Sequence, residues 1–482
     1  NILANLELKD INQYDEQGNG IIFDLPLALI ENYFNIIDFR DQFLLRHFVS
    51  FLLFFISLIH FYKIIILKYD SKFLAIFGVL FLFFSPRIFA HSFVNPKDIG
   101  FMSIGIINLY YGIKYLQKPD IKNSLIFTIV SGILVGFRLT GLFIPLIIIL
   151  ISWIDNLRNL SKKKFKYIPL LLIVFLLPIS IYIFWPFLWA SPINNFIYAF
   201  NILSDHYRPI YNLFLGEYIS ALNTPWHYII TWIFFSTPLL YLFFFFIGLF
   251  IILKRLIKRL INIEENSYND LWRGNNEKFD LIFFLIILIP ILIVIILHSS
   301  LYTGWRHLFF IYPSIILISV HGIYLIKILY FRYKDYLLNI IILSLLSPII
   351  YWMINNHPYQ YSFFNYFEKK IKLKFENDYW GISIYNALDY LASNYDGQIR
   401  IYLVGDGDLN QSKFFLKKEL RNKILVQNSL KDSEFALDNF NRWDGIPNLK
   451  DLKYIQENFE NYHEIKIDDK VITRVYKRIL NN

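Results

Sequence analysis

Residues 44–92 read LLRHFVSFLLFFISLIHFYKIIILKYDSKFLAIFGVLFLFFSPRIFAHS. Two apolar stretches, 44–66 and 73–92, flank a short interval that carries Lys68 and Lys72. A helix rises about 1.5 Å per residue, so about 20 apolar residues cross the roughly 30 Å hydrocarbon core of a bilayer. Outward from this pair the same pattern recurs at 99–117, 123–138, 139–154, 167–187, 226–253, 280–298, 306–327 and 337–354. Residues 123–154 read either as two short helices broken near Arg138-Leu139-Thr140-Gly141 or as one long bent helix. Composition agrees with this series. The 482 residues are 56% hydrophobic and only 18% charged, with a mean hydropathy of +0.43. A soluble chain of this length carries more charge, so the fold class is a polytopic α-helical membrane protein of about ten or eleven spans.

The net charge of +9 does not point to nucleic acid, because the basic residues sit in short loops between spans. Lys68 and Lys72; Lys114, Lys118 and Lys122; Arg158, Lys162, Lys163, Lys164 and Lys166; Lys254, Arg255, Lys258 and Arg259; and Lys327, Arg332 and Lys334 occupy every second loop. That is the positive-inside pattern, and it assigns these loops to the cytoplasm of a multi-pass plasma (inner) membrane protein. Residues 1–43, the turn at 91–98, the stretch 188–225, residues 298–306 and the tail then face the extracytoplasmic, periplasmic side. Cysteine is absent, which excludes disulfides and thiolate metal sites. The chain starts at Asn1 without Met, which predicts a segment upstream of it.

Composition changes at about residue 355, dividing a membrane domain, 1–354, from a small extracytoplasmic α/β domain, 355–482. Residues 399–406 predict a buried strand ending in a turn, 412–421 a helix, and 464–467 with 471–476 a hairpin. Gly405-Asp406-Gly407-Asp408 lacks the glycine spacing of a nucleotide-binding loop and reads as a turn.

Several polar clusters fall on the outer side. Asp15-Glu16 precedes Gly18-Asn19-Gly20, with Asp24 close by in a short apolar stretch, 21–30, suited to an interfacial helix. An acidic pair in a loop is also ordinary solvated charge. In Asn95-Pro96-Lys97-Asp98, Asp98 reads either as a helix N-terminal acid or as the partner of a phosphate-facing Lys97. Arg138 ends an apolar stretch on the side without basic bias, where it either snorkels to the interface or pairs with an anion. The loop 188–225 and its edge supply His206, Arg208, Glu217 and His227; the two histidines lack a third ligand at metal-binding spacing. Arg306 and His307, in Gly304-Trp305-Arg306-His307, oppose the charge bias and favour an anionic partner such as a lipid phosphate.

Over roughly residues 10–365 the arrangement resembles the GT-C glycosyltransferases, specifically the family 39-like group of protein O-mannosyltransferases and lipid A aminoarabinose transferases. Asp15-Glu16-Gln17-Gly18-Asn19-Gly20 is similar to that group's first outer-loop motif, an acidic pair ahead of a glycine. Asp98 falls where those proteins have an Asp opening a span. GILVGFRLTGLF at 132–143 is similar to a Gly-rich segment around a basic residue, and 85–90 and 304–307 also look like bacterial members. The group usually places a His or Tyr and a second aromatic between the acids and the glycine, where this chain has Gly18 and Asn19. Which carboxylate is the base therefore stays open, with Asp24 in reserve.

The resemblance implies a further span ahead of Asn1 and no cofactor or metal. It implies a polyprenyl-phosphate-linked sugar donor in the outer leaflet and an acceptor hydroxyl on a protein, glycan or lipid. Transfer needs a base for the hydroxyl proton, Asp15 with Glu16 beside it, and cations for the departing phosphate, Arg138, Arg306 and Lys97. In-line displacement would invert the anomeric carbon. Two other readings stand beside it. A lipid-carrier flippase or other transporter would show ionisable groups deep in the spans and an internal repeat, and neither is read here. A non-catalytic membrane receptor would be built around the tail.

Overall fold

The computed structural model describes residues 20–159, 167–204, 209–261, 271–331, 334–371, 374–446 and 448–479. A short helix, α1 (Asp24–Tyr33), leads into α2 (Phe39–Tyr69), and then α3 (Lys72–Phe83), α4 (Pro86–Val94), α5 (Pro96–Gln117), α6 (Ile121–Phe137), α7 (Phe143–Asn159) and α8 (Tyr167–Phe184) follow. After α9 (Pro192–Ser204) and a hairpin, β1 (Tyr211–Phe214) and β2 (Glu217–Ser220), come α10 (Tyr228–Ser236), α11 (Leu239–Ile261), α12 (Gly274–Ile296), α13 (Tyr312–Tyr330) and α14 (Asp335–Asn355). Seven helices among the described residues are long and apolar enough to cross a membrane, and α3 with α4 makes an eighth if that bent pair is one span. Helices α5 and α6 fill the remaining expected segments. Helix α5 buries Ser103 and Asn108 among its neighbours and α6 is only 17 residues long.

Local chemistry sets the breaks. Pro86 and Pro238 lack the N–H that would continue a helix, and α3–α4 bends by 63° at the first of them. The expected single span 226–253 is accordingly two helices, α10 and α11, parted at Thr237-Pro238. Arg138 is extended (φ −155°, ψ 142°), so residues 123–154 are two helices with a break.

Side-chain pairing sorts the loops to two ends. Lys68 of α2 and Arg255 of α11 both meet Asp280 of α12, and Lys278 meets Asp155 of α7 at 2.6 Å, gathering the basic loops at one end. Asp280 is an ionisable group buried between helices, contrary to the expectation that the spans hold none. Its carboxylate is taken up by its two cationic partners, a clamp between helices rather than an open path.

Glycine brings α6 and α8 together. A Cβ at Gly132 would lie 2.1 Å from Ser180 Oγ, and one at Gly136 would lie 2.7 Å from the Phe184 carbonyl oxygen. The small-xxx-small spacing thus lets two backbones touch. Gly20 lies against the same place: a Cβ there would fall 1.2 Å from the Gly136 carbonyl oxygen.

Beyond α14, α15 (Tyr366–Ile371) and an irregular segment lead to α16 (Ile382–Asn394), β3 (Ile399–Leu403), α17 (Leu409–Phe414), α18 (Lys418–Arg421), β4 (Ile424–Val426), β5 (Phe435–Asp438), α19 (Leu449–Asn458), β6 (Phe459–Ile467) and β7 (Lys470–Arg478). The sheet runs β4-β3-β5-β7-β6, parallel through β4, β3 and β5 and antiparallel through β7 and β6. Ile384, Leu388 and Leu391 of α16 pack on Ile399, Ile401 and Phe435. The predicted helix 412–421 is the two short helices α17 and α18, and Gly405–Asp408 is a turn whose last residue caps α17. This sheet unit is tied to the far end of the bundle. Arg421 donates to both Asp38 carboxylate oxygens (2.9 and 3.1 Å), Arg40 Nε to the Phe415 carbonyl (3.1 Å), and Trp352 Nε1 to Asp468 (3.0 Å).

Replacing Gly136 by Val should destabilise the bundle by about 1–3 kcal/mol, since the added carbons meet backbone that cannot retreat. Thermal unfolding in detergent checks this, and an unchanged midpoint would contradict the close approach.

Candidate active site

The far end is organised around the first turn of α5. Pro96 occupies the first helical position, where its missing N–H costs nothing. Asn95 caps the helix: its Oδ1 accepts from Asp98 N (3.1 Å) and its Nδ2 donates to Asp98 Oδ2 (2.6 Å). Asp98 is thereby fixed and fully buried. Two guanidiniums converge on it. Arg138 Nη2 lies 2.6 Å from Oδ1 and Arg306 Nη1 lies 3.0 Å from Oδ2. Arg138 comes from the break after α6. Arg306 comes from the loop before α13, where it also donates to Thr303 Oγ1 and lies over the rings of Tyr302 and Trp380.

Among the described residues, two arginines on one carboxylate leave a positive charge in surplus. The arginine side chains are 17% and 15% exposed, so each keeps an edge outside the pair. A buried carboxylate between two cations is a poor proton acceptor, and the geometry suits Asp98 to aiming the guanidiniums.

Asn95 extends the network. Its Nδ2 also lies 3.2 Å from His91 Nδ1, and His91 Nε2 lies 2.7 Å from Tyr379 Oη. An amide N–H can only donate, so His91 carries its proton on Nε2 and gives it to the tyrosine. Tyr379 belongs to the stretch 374–381, which connects α15 to α16 and also holds two buried carboxyls. Asp378 accepts from Tyr361 Oη, Ile382 N (3.2 Å), Ser383 N (3.1 Å) and Ser383 Oγ. Glu376 N donates to the Leu213 carbonyl (3.1 Å); the Trp443 indole is the donor that acts on its carboxyl, and Oε2 makes no well-aligned hydrogen bond among the described residues. Burial raises Glu376 to about 7, with Trp443, Arg306 and Arg87 acting against the rise. Burial likewise lifts Asp378 to about 6 against its four donors.

Arg87, at the start of α4, is buried too. Its Nε donates to the Phe363 carbonyl (3.1 Å), and its guanidinium lies over Phe364 (4.5 Å) and Trp232 (5.1 Å).

Of the residues singled out from sequence, Asp98, Arg138 and Arg306 come together, with His307 beside them and its ring 4.7 Å from Tyr302. Asp15, Glu16, His206 and Arg208 lie outside the described residues. Asp24, with Glu31, pairs with Arg46 of α2 (3.0 and 2.8 Å). Lys97 is exposed in the first turn of α5, and Glu217 is exposed on β2. His227 packs its ring on Phe214 and Trp226 and lies 3.3 Å from Thr231 Oγ1. Sequence reading missed Arg87, His91, Glu376, Asp378 and Tyr379. The acidic and aromatic run Glu376-Asn377-Asp378-Tyr379-Trp380 was the available signal.

No family model matches the chain, and no curated protein matches it. Among solved structures it is similar to ArnT from Cupriavidus metallidurans in the apo state, at 10% identity and a TM-score of 0.44, covering 96% of this chain and 88% of that one. The same protein bound to undecaprenyl phosphate gives 10% identity and a TM-score of 0.40 over the same shares.

Two outcomes are expected here. Asp98→Asn leaves two neighbouring guanidiniums without a counter-charge and should cost about 3 kcal/mol of stability, read by thermal or denaturant unfolding. The folded state also holds a proton on Glu376 that the unfolded chain, with its ordinary value of 4.5, releases. The contribution of Glu376 to stability is therefore fully present below 4.5 and is lost as pH rises to about 7. Glu376→Gln should flatten that fall; identical profiles for the two proteins would refute the raised value.

Proposed function

We propose that this chain is an integral membrane glycosyltransferase of the GT-C type, using a polyprenyl-phosphate-linked sugar and an acceptor hydroxyl on the extracytoplasmic face. The observation that carries the reading is the pair of guanidiniums, Arg138 and Arg306, set by one buried Asp98 with a positive charge in surplus. They lie at the end of the bundle opposite the basic loops. A phosphate at the membrane surface is the natural partner of such a pair, because guanidinium offers two donors in the geometry of two phosphate oxygens.

In this reaction the acceptor oxygen attacks the anomeric carbon as its proton passes to a carboxylate. The bond from that carbon to the phosphate oxygen breaks, and the electron pair leaves with polyprenyl phosphate. Attack opposite the leaving group inverts the carbon. Arg138 and Arg306, with Lys97 and His307 nearby in sequence, hold the phosphate as its charge grows. Asp15 is assigned as base and Glu16 as its neighbour. Gly20 lies against the Gly136 carbonyl, two residues before Arg138, and Glu16 is four residues upstream of it. The α/β unit, residues 355–482 as read from sequence, is placed on the same face and would help select the acceptor.

Purified protein incubated with a panel of polyprenyl-phosphate sugars should release polyprenyl phosphate. Arg306→Lys, which keeps the charge and loses the paired donors, should slow release by at least tenfold. Asp15→Asn should abolish turnover in a folded protein. Absence of release from every donor, with a full-length folded sample, would end the enzyme reading.

A further inference from the structure

The hairpin β1–β2 packs where the bundle meets the sheet unit. Asn212 of β1 donates to the Leu301 carbonyl (2.9 Å) and accepts from Thr303 N (2.9 Å), which fixes the loop that carries Arg306. The opposite edge of the hairpin is bonded to 374–376: Gly216 N donates to the Lys374 carbonyl (2.9 Å) and Glu376 N to that of Leu213 (3.1 Å). Tyr211 N reaches the Trp443 carbonyl (2.8 Å) in the loop after β5. One small ribbon thus sets Arg306, Glu376 and the loop after β5 in a common frame.

Between these pieces lies a cavity of ≈ 50 Å³, lined by Tyr211, Tyr218, Glu376, Asn377, Asn441 and Arg442 among others. That volume holds about four waters or one hydroxyl-bearing arm of a larger molecule. Most polar groups around it are already engaged. Asn441 Nδ2 donates to the Asp378 carbonyl (2.8 Å), and Arg442 is bound to Asp438 (2.9 Å) and to the Asn441 carbonyl (2.7 Å). Asp378 has its four donors. Glu376 differs: the residue is 94% buried and lines the cavity, and its Oε2 makes no well-aligned hydrogen bond among the described residues, although the Trp443 indole acts on the carboxyl from one side. A buried polar atom left without a bond costs about 1–3 kcal/mol, so its persistence marks a place where a ligand completes it.

We propose that this cavity is a subsite for a neutral, hydroxyl-rich arm of the acceptor, a carbohydrate, and that Glu376 binds its hydroxyl; the proposal rests on the transferase reading above. Charge selects the class. The Glu376 and Asp378 carboxyls disfavour a second anion, while the Arg306 and Arg87 charges that act on Glu376 disfavour a cation. A hydroxyl suits the site in either protonation state, since it can donate to a carboxylate or accept from a carboxyl. The aromatic walls, Tyr211 and Tyr218, with few convergent polar groups, match the usual make-up of small-molecule pockets.

The test uses methyl α-glucopyranoside and N-acetylglucosamine as probes, with saturation-transfer NMR on the full chain in nanodiscs. Wild-type protein should transfer saturation to at least one of them. Glu376→Ala should reduce the transfer at least fivefold, Glu376→Gln should restore part of it, and Asn377→Ala should reduce it less, with unfolding midpoints recorded for each. If Glu376→Ala does not fold, Glu376→Gln together with Asn377→Ala should still lower the signal. Polyprenyl phosphate release is measured in parallel. No saturation transfer to wild type while release continues, or equal transfer to all variants, would overturn the subsite. Transfer with no release from any donor would instead overturn the transferase reading and leave the cavity as a carbohydrate site.

Discussion

A carboxylate buried at a membrane face is expensive unless it is fully paired, and the far end of this bundle is arranged to pair one. Asp98 loses nearly all contact with water and recovers the cost through Asn95, Arg138 and Arg306. The three elements that supply these partners are far apart in sequence: the start of α5, the break after α6 and the loop before α13. Each must end where it does for the pairing to close. Pro96 starts α5 one residue after the cap, and the extended backbone at Arg138 stops α6. Among the described residues a surplus positive charge follows directly, because two guanidiniums meet one carboxylate.

Backbone contact sets how near those elements approach. Gly132 and Gly136 let α6 lie directly on α8, and Gly20 lets the segment before α1 lie on Gly136. A larger side chain at either helix position would push α6 outward and carry Arg138 with it. Lipid offers no hydrophobic drive for helix association, so small residues and paired charges have to hold the bundle. The same logic applies at the basic end, where Asp280 joins α12 to Lys68 of α2 and Arg255 of α11.

Much of this was legible because the membrane imposes a strong pattern. Apolar length located the helices, alternate basic loops sorted their ends, and charges against the bias marked Arg138 and Arg306. The reading faltered where tertiary contact decides. Asp24 looked like a reserve base, yet its distance in sequence from Arg46 hid an ion pair. His227 looked polar and available, and two aromatic rings lie against it. No ionisable group was read deep in the spans, and Asp280 proved to be buried between helices. In the tail, β5 and α16 were overlooked: β5 is only four residues long and follows no alternation, being buried on both faces. Glu376 and Tyr379 carry no motif, since their significance comes from what folds against them.

That last group changes how the sheet unit should be regarded. Its bonds to the bundle are of two kinds. Arg421 with Asp38 and Trp352 with Asp468 lie at its margins, the first a part-buried ion pair and the second an exposed hydrogen bond. Tyr379 with His91 lies inside, one bond away from Asn95 and two from Asp98. A unit that only decorated the outer face would need the first kind alone. Because the second kind completes the surroundings of Asp98, detaching the sheet unit would open the site to water and release His91. Low dielectric strengthens every charge pairing in that network, so its roof contributes to the field at Arg138 and Arg306, and Trp380 also lies against the Arg306 guanidinium. The segment 374–381 is therefore better understood as a wall of the site than as a linker to a separate domain.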